Sequence, residues 1–220
     1  MSPIKLSRED QEMYDRIFQQ NRDWADDKTK KDRYFFKDHF KEQDPHFLYI
    51  GCSDSRVAIG DLTGMDIGDI FVHRNIANVV SLEDKNIMAV LQYGVTVLKI
   101  KHIVVSGHHG CGGVIAANSG NTFDGAMEYW LDNIRAVKQK NLIELEKITD
   151  ITSQNDVLSE LHVIAQCEKL LQIDFIKNSY LENGFPMVHG WIYDMRTGLL
   201  HDMEFDMDQY LDNQIKTNHY

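Results

Sequence analysis

Short apolar runs alternate with helical periodicities along most of the chain. Five runs have the length and the β-branched and aromatic content of buried strands, and they cover residues 47–52, 69–73, 103–106, 186–193 and 199–205. Between and after them, apolar residues recur at the spacing of a helix face, at residues 82–98, 113–117, 126–138, 157–183 and 206–216. Strands that alternate with helices predict an α/β fold with a central, mostly parallel sheet flanked by helices.

The last two predicted strands are joined by the run Tyr193-Asp-Met-Arg-Thr-Gly198, which has the residues of a hairpin turn. This antiparallel pair predicts that the final strand lies at an edge of the sheet. Ligand sites in such sheets lie at the carboxyl ends of the strands. Polar segments that follow two different strands are therefore expected to meet.

The segment before the first strand has a different character. Residues 10–42 are rich in Lys and Asp, and their apolar residues recur at helical spacing: Met13, Ile17, Trp24, Tyr34, Phe35 and Phe40. The pattern predicts an N-terminal helical arm at residues 1–42 and a single α/β domain at residues 43–220. The arm either lies on its own domain or packs on a partner subunit, and the pattern favours neither arrangement.

Composition narrows the class of protein. A chain of 220 residues is long enough for one sizeable core. The formal net charge of −11 disfavours nucleic acid and anionic membranes as partners. No apolar run reaches the length of a membrane span, and the first ten residues lack the apolar core of a signal peptide. The three cysteines are an odd number, which argues against a disulfide framework and predicts a cytoplasmic protein.

The first candidate site segment is Cys52-Ser-Asp-Ser-Arg56, which directly follows a predicted strand. Alternate residues of an extended chain point the same way. If the chain stays extended here, then Cys52, Asp54 and Arg56 share one face. The guanidinium would then hold the carboxylate in its ionised form.

The second segment is Gly107-His-His-Gly-Cys-Gly-Gly113, which follows another predicted strand and leads into a helix. His108 and Cys111 are three residues apart, so both can face one point, although His109 would also serve geometrically. A cysteine near a helix N-terminus is expected to have a lowered pKa. Two thiolates and one imidazole are three zinc ligands, and catalytic zinc sites leave the fourth position open. The pattern therefore predicts a catalytic zinc site. The remaining cysteine, Cys167, has no such spacing and is expected in the core.

On these segments, together with His73-Arg-Asn75, the chain resembles the β-class carbonic anhydrases from about residue 43 to residue 193. The resemblance implies a lyase (carbonate dehydratase) that hydrates CO2 reversibly to bicarbonate and a proton by means of zinc-bound hydroxide. It implies that the metal ligands are Cys52, His108 and Cys111 and that the catalytic dyad is Asp54 and Arg56. Residues 43–220 would then form the zinc-binding catalytic domain.

The resemblance also implies a partly apolar CO2 pocket that crosses a subunit interface. The matching positions are Gln43, Phe71, Ile76, Tyr93 and Gly112, with Gln43 supplied by the neighbouring chain. A homodimer, which can pair into a homotetramer, is therefore the expected assembly.

Some members of this family carry a second, non-catalytic bicarbonate pocket built from a Trp, an Arg and a Tyr. Arg74 and Tyr193 match two of these positions, but Tyr49 stands where the pattern has Trp. Bicarbonate regulation is therefore left open. Arg74 alone is equally consistent with an anion-binding role and with a buried salt bridge.

Two other functions compete with CO2 hydration. The same fold and zinc could hydrolyse carbonyl sulfide or carbon disulfide, and pocket width would distinguish these substrates. A non-catalytic structural or redox zinc protein would instead need a fourth Cys or His ligand beside the other three.

Overall fold

The computed structural model describes residues 7–217. The chain divides into two compact units, one up to Gln43 and one from Asp44 onward. Residues 1–6 lie outside the described part. They belong to the segment in which the sequence predicts no signal peptide. No helix within residues 7–217 is both long enough and apolar enough to cross a membrane.

The first unit is helical. Helix α1 (Arg8–Lys31) begins at Ser7, whose hydroxyl accepts a hydrogen bond from the amide of Asp10, and none of its residues is buried. After a short turn comes α2 (Phe35–His39), where Phe36 packs edge-to-face on Trp24 with 5.4 Å between ring centroids. The predicted N-terminal helix is confirmed. The boundary at residue 42 and the role of this unit as an intersubunit arm remain predictions.

The second unit is built on one sheet of five strands among the described residues, in the order β2-β1-β3-β4-β5. The strands are β1 (Phe47–Cys52), β2 (Ile70–Asn75), β3 (His102–His108), β4 (Met187–Asp194) and β5 (Leu199–Asp202). All neighbouring strands pair in parallel except β4 and β5, which are antiparallel. The predicted α/β fold with an antiparallel edge strand is confirmed.

Helices connect and cover these strands. They are α3 (Ile59–Thr63), α4 (Lys85–Gln92), α5 (Gly112–Asn118), α6 (Ala126–Lys140), α7 (Leu142–Leu145), α8 (Ile151–Leu170), α9 (Asp174–Asn183) and α10 (Met207–Thr217). A single helical turn at Ile76–Asn78 follows β2, and a wider turn at Tyr93–Val97 extends α4.

Two predicted elements differ from the structure. The continuous helix expected at residues 157–183 is two helices, because the chain turns after Leu170 and buries both Leu171 and Ile173 at the break. The strand expected at residues 199–205 ends at Asp202, because Glu204 has a positive φ of 51° that an extended strand cannot accommodate.

Helix α8 packs directly against the middle of the sheet. A Cβ atom on Gly107 would lie 2.6 Å from Val163 Cγ2, and one on Gly190 would lie 2.9 Å from Val163 Cγ1. Only glycine in β3 and β4 allows this approach. The same helix contributes to both buried apolar clusters, and it places Cys167 in the core as expected.

Candidate metal centre

Three side chains from two strand ends meet in the interior of the second unit. Ligand atoms of Cys52, His108 and Cys111 all lie within 4.8 Å of one another. Their residues are 4%, 0% and 2% exposed. Among the described residues this is the only group of three or more Cys, His, Asp or Glu side chains that could hold a metal ion.

Sheet topology brings these residues together. Cys52 ends β1 and His108 ends β3, and the two strands are parallel neighbours. After His108 the chain turns at Gly110, whose φ of +69° lies in the left-handed region that glycine adopts readily. Cys111 then stands directly before the first turn of α5. The turn explains how residues three apart face the same point.

The structure places His108, and not His109, with the two cysteines. His108 Nδ1 lies 3.1 Å from the carbonyl oxygen of His109. A carbonyl can only accept, so Nδ1 carries the proton and Nε2 presents a lone pair. That Nε2 atom is buried and has no hydrogen-bond partner, which is the state that a metal ligand requires.

The ring of His109 is held elsewhere. Its Nε2 donates to Glu160 Oε1 at 3.0 Å, and its Nδ1 accepts from Arg196 Nη2 at 2.9 Å. Arg196 also donates from Nη1 to Asp156 and from Nε to Asp194, each at 2.9 Å. Sequence spacing does not indicate this network, because His109, residues 156–160 and residues 194–196 lie far apart along the chain.

The two thiols are close enough to affect each other's pKa. Their sulfur atoms are 3.9 Å apart. The hydrogen bond from Cys111, together with backbone amides, lowers the pKa of Cys52. The same contact with Cys52, together with burial, raises the pKa of Cys111. The amides of Gly113 and Val114 act to lower the pKa of Cys111, as expected for a residue at a helix N-terminus, but the neighbouring thiol acts more strongly in the other direction. A cation beside both sulfurs would offset their repulsion.

Asp54 and Arg56 form a closely bonded pair beside the cluster. Arg56 donates to Asp54 from Nε (2.9 Å), from Nη2 (2.7 Å) and from its own backbone amide (3.0 Å). The Arg56 side chain is the main reason that the pKa of Asp54 is well below its usual range. The chain does not stay extended through Arg56, so that expectation is wrong. The amide of Val57 donates to the Asp54 carbonyl at 3.1 Å, and the resulting turn brings Arg56 to Asp54.

Asp54 also faces the cluster. Its Oδ2 atom lies 3.9 Å from His108 Nε2, the nitrogen with the free lone pair. The carboxylate therefore lies next to the position that a metal ion would occupy. Arg56 stabilises the negative charge of this carboxylate.

The expected pocket residues occupy four parts of the chain. The rings of Phe71 and Tyr93 lie 6.0 Å apart, and Tyr93 is 44% exposed. Ile76 directly follows β2, and Gly112 is the first residue of α5. Gln43 is exposed and is the last residue of the first unit. Their roles in binding CO2 remain predictions.

The residues matched to the second bicarbonate pocket lie on three strands, with Tyr49 on β1, Arg74 on β2 and Tyr193 on β4. Arg74 is exposed and donates to the carbonyl oxygens of Cys52 (2.9 Å) and Asp54 (2.7 Å), so the alternative of a buried salt bridge is wrong. The Tyr49 hydroxyl is buried without a hydrogen-bond partner. Tyr193 lies on β4, two strands from β1. Bicarbonate binding at these residues remains a prediction.

Comparison with known proteins gives a consistent result. The sequence model of the family described as carbonic anhydrase matches residues 47–200. A protein of Emericella nidulans named carbonic anhydrase is 45% identical over 196 residues, which cover 89% of this chain and 86% of that protein.

Solved structures are similar as well. A tetrameric β-carbonic anhydrase of Sordaria macrospora has a TM-score of 0.85 and 36% identity, covering 88% of this chain and 98% of its own. A Coccomyxa β-carbonic anhydrase in complex with acetazolamide has a TM-score of 0.83 and 34% identity, covering 88% of both chains.

Proposed function

Because this chain belongs to the β-carbonic anhydrase family, we propose that it catalyses the reversible hydration of CO2 to bicarbonate and a proton at a zinc ion held by Cys52, His108 and Cys111. The observation that carries the proposal is the buried cluster of three ligands, with Asp54 held beside it by Arg56. The donor set fits zinc, which binds thiolate sulfur and imidazole nitrogen.

The number of ligands favours a catalytic site over a structural one. Structural zinc sites are closed by four protein ligands, whereas catalytic sites keep one position open. Within the described residues no fourth Cys or His joins the cluster, and Cys167 is fully buried in the other apolar cluster. The structural alternative therefore lacks the ligand that it requires.

Zinc bound at this site would act as a Lewis acid and lower the pKa of a water molecule towards neutral. Asp54 is ionised across the physiological pH range and can only accept hydrogen bonds, so it orients a donor beside the metal. Arg56 keeps Asp54 in that pose through two side-chain hydrogen bonds. Phe71 and Tyr93 provide the apolar surface suited to CO2.

Self-association is part of the proposal. Helix α1 has 24 residues and buries none of them in its own chain. Met13, Tyr14, Ile17 and Phe18 are each at least half exposed, and a surface this apolar favours a protein partner. We propose a homodimer or homotetramer that places Gln43 of one chain in the site of another. The proposed location is the cytoplasm.

The test measures CO2 hydration by stopped flow and zinc by elemental analysis in the same preparations. Cys52→Ser and Cys111→Ser should lose most of their zinc and activity. Cys167→Ser is the matched control and should retain both. Full zinc retention in both ligand variants would refute the ligand set, and a zinc-loaded wild-type protein that fails to hydrate CO2 would refute the activity.

A further inference from the structure

The turn after β2 contains two non-glycine residues in left-handed conformation. Ala77 has a φ of 59° and Asn78 a φ of 49°. Both are buried, at 0% and 2% exposure. Residues with a Cβ atom adopt this conformation at an energetic cost, and it persists only where the surroundings enforce it.

The turn aims one amide at a ligand of the candidate metal centre. The N–H group of Ala77 donates to Cys52 Sγ, with 3.4 Å between nitrogen and sulfur. Both residues are buried, so this hydrogen bond forms away from solvent, where it has a strong electrostatic effect. A thiolate that accepts a hydrogen bond donates less charge to a bound metal.

The same peptide group is held at its other end by α6. Trp130 donates from Nε1 to the carbonyl oxygen of Ile76 at 2.7 Å. The Ile76 carbonyl and the Ala77 amide belong to one peptide unit. A hydrogen bond to the oxygen fixes the orientation of this unit and polarises its N–H towards the sulfur.

Helix α8 holds the next peptide. His162 Nε2 lies 3.0 Å from the carbonyl oxygen of Ala77. One turn further along the helix, Gln166 Oε1 accepts from the amide of Val80 at 2.9 Å, while its Nε2 faces His162 Nδ1 at 3.4 Å. The Ala77 carbonyl can only accept, so the imidazole proton is on Nε2. The Val80 amide makes Gln166 Oε1 the acceptor, so Gln166 Nε2 donates to His162 Nδ1 and the ring is neutral.

We propose that Trp130 and His162 are positioning residues that hold the two peptides on either side of Ala77, so that the Ala77 amide donates to the metal ligand Cys52. The inference rests on the proposed metal centre. Neither side chain touches the reacting atoms, and each acts through one of the two peptides that flank Ala77. Groups behind a metal's ligands commonly set its affinity in this manner.

The first test uses the protein with Co²⁺ in place of zinc, because thiolate-to-cobalt charge transfer reports the charge on sulfur. Trp130→Phe keeps an aromatic ring but removes the indole N–H donor together with part of the indole, a loss of volume that Trp191→Phe reproduces elsewhere. We expect the charge-transfer band to move to lower energy, because the sulfur carries more charge without the hydrogen bond. We expect zinc affinity to fall by about tenfold, because the peptide that orients the Cys52 ligand is no longer held in place. Trp191→Phe, on β4 and outside this hydrogen-bond chain, is the matched control and should change neither quantity.

The second test varies His162. Gln places an amide nitrogen near the position of Nε2, so His162→Gln should retain the wild-type band position, whereas His162→Leu should shift it in the same direction as Trp130→Phe. Rescue by Gln would not be expected if His162 only filled space. If His162→Leu does not fold, Trp130→Phe decides alone.

An unchanged band and unchanged zinc affinity in Trp130→Phe would overturn the proposal. A wild-type protein without thiolate-to-cobalt charge transfer would overturn it together with the metal centre. A protein that shows the expected shifts but does not hydrate CO2 would refute the proposed function while leaving this inference in place.

Discussion

His162 gives the structure a pH-dependent stability whose sign and size can be worked out. The residue is 1% exposed, and burial lowers its pKa from 6.5 to about 4. Between these values the unfolded chain binds a proton that the folded chain does not. The free energy of unfolding therefore falls as the pH drops from 6.5 towards 4. The gap between the two pKa values corresponds to roughly 3 kcal/mol.

The contribution of His162 can be isolated by comparison with His162→Gln. Burial also lowers the pKa of His73, His102 and His189, so the wild-type curve alone would mix several groups. We expect the stability of wild type relative to His162→Gln to decrease by roughly 3 kcal/mol between pH 7 and pH 4. Urea unfolding at closely spaced pH values, with equal metal content in both proteins, measures this difference.

Two results would refute this reasoning. A stability difference between wild type and His162→Gln that stays constant from pH 7 to pH 4 would show that His162 does not resist protonation in the folded state. A decrease of similar size in a comparison of wild type with His201→Gln, which alters an exposed histidine, would show that the effect does not depend on burial.

Three further outcomes are expected. Gly107→Ala should destabilise the protein by about 1–3 kcal/mol, because its Cβ would lie 2.6 Å from Val163 Cγ2. In urea unfolding, the double variant that also carries Val163→Ala should lose less stability than the two single variants lose in total. Asp54→Asn should keep its zinc and reduce CO2 hydration about 100-fold or more, while Arg56→Ala should free Asp54 to bind the metal and be inactive at every pH; unimpaired turnover in Asp54→Asn would contradict the role given to the carboxylate. Removal of the residues before Lys41 should lower both association in sedimentation velocity and activity, and a fully active monomer would contradict the proposed assembly.

Part of the site could be predicted from the sequence because its contacts join residues that are close in the chain. Cys52, Asp54 and Arg56 span five positions of the chain, and the Asp54–Arg56 pair is closed by a turn within that span. The strands could be predicted because a short apolar run of this length fits few structures other than a strand in a buried sheet. The break between α8 and α9 was missed, because apolar residues at helical spacing continue across it and only packing of Leu171 and Ile173 ends the helix.

Tertiary structure decided which histidine faces the metal centre. His108 and His109 are adjacent and chemically identical, so spacing alone left both open. Pairing of β3 with β4 sets His108 opposite Tyr193 and lets the His109 amide bond to the Tyr193 carbonyl at 3.0 Å. Because neighbouring residues of an extended chain point to opposite sides, only one of the two can face the cysteines.

The sequence by itself determined the strands, the ligand types and the pair that orients the carboxylate, because each depends on residues close together in the chain. Only the tertiary structure decided what supports them. Trp130 and His162 are separated from the residues whose carbonyls they hold, Ile76 and Ala77, by 54 and 85 positions respectively. No periodicity or motif connects residues at such distances. Their contacts exist because the sheet and two packed helices bring these segments to one place.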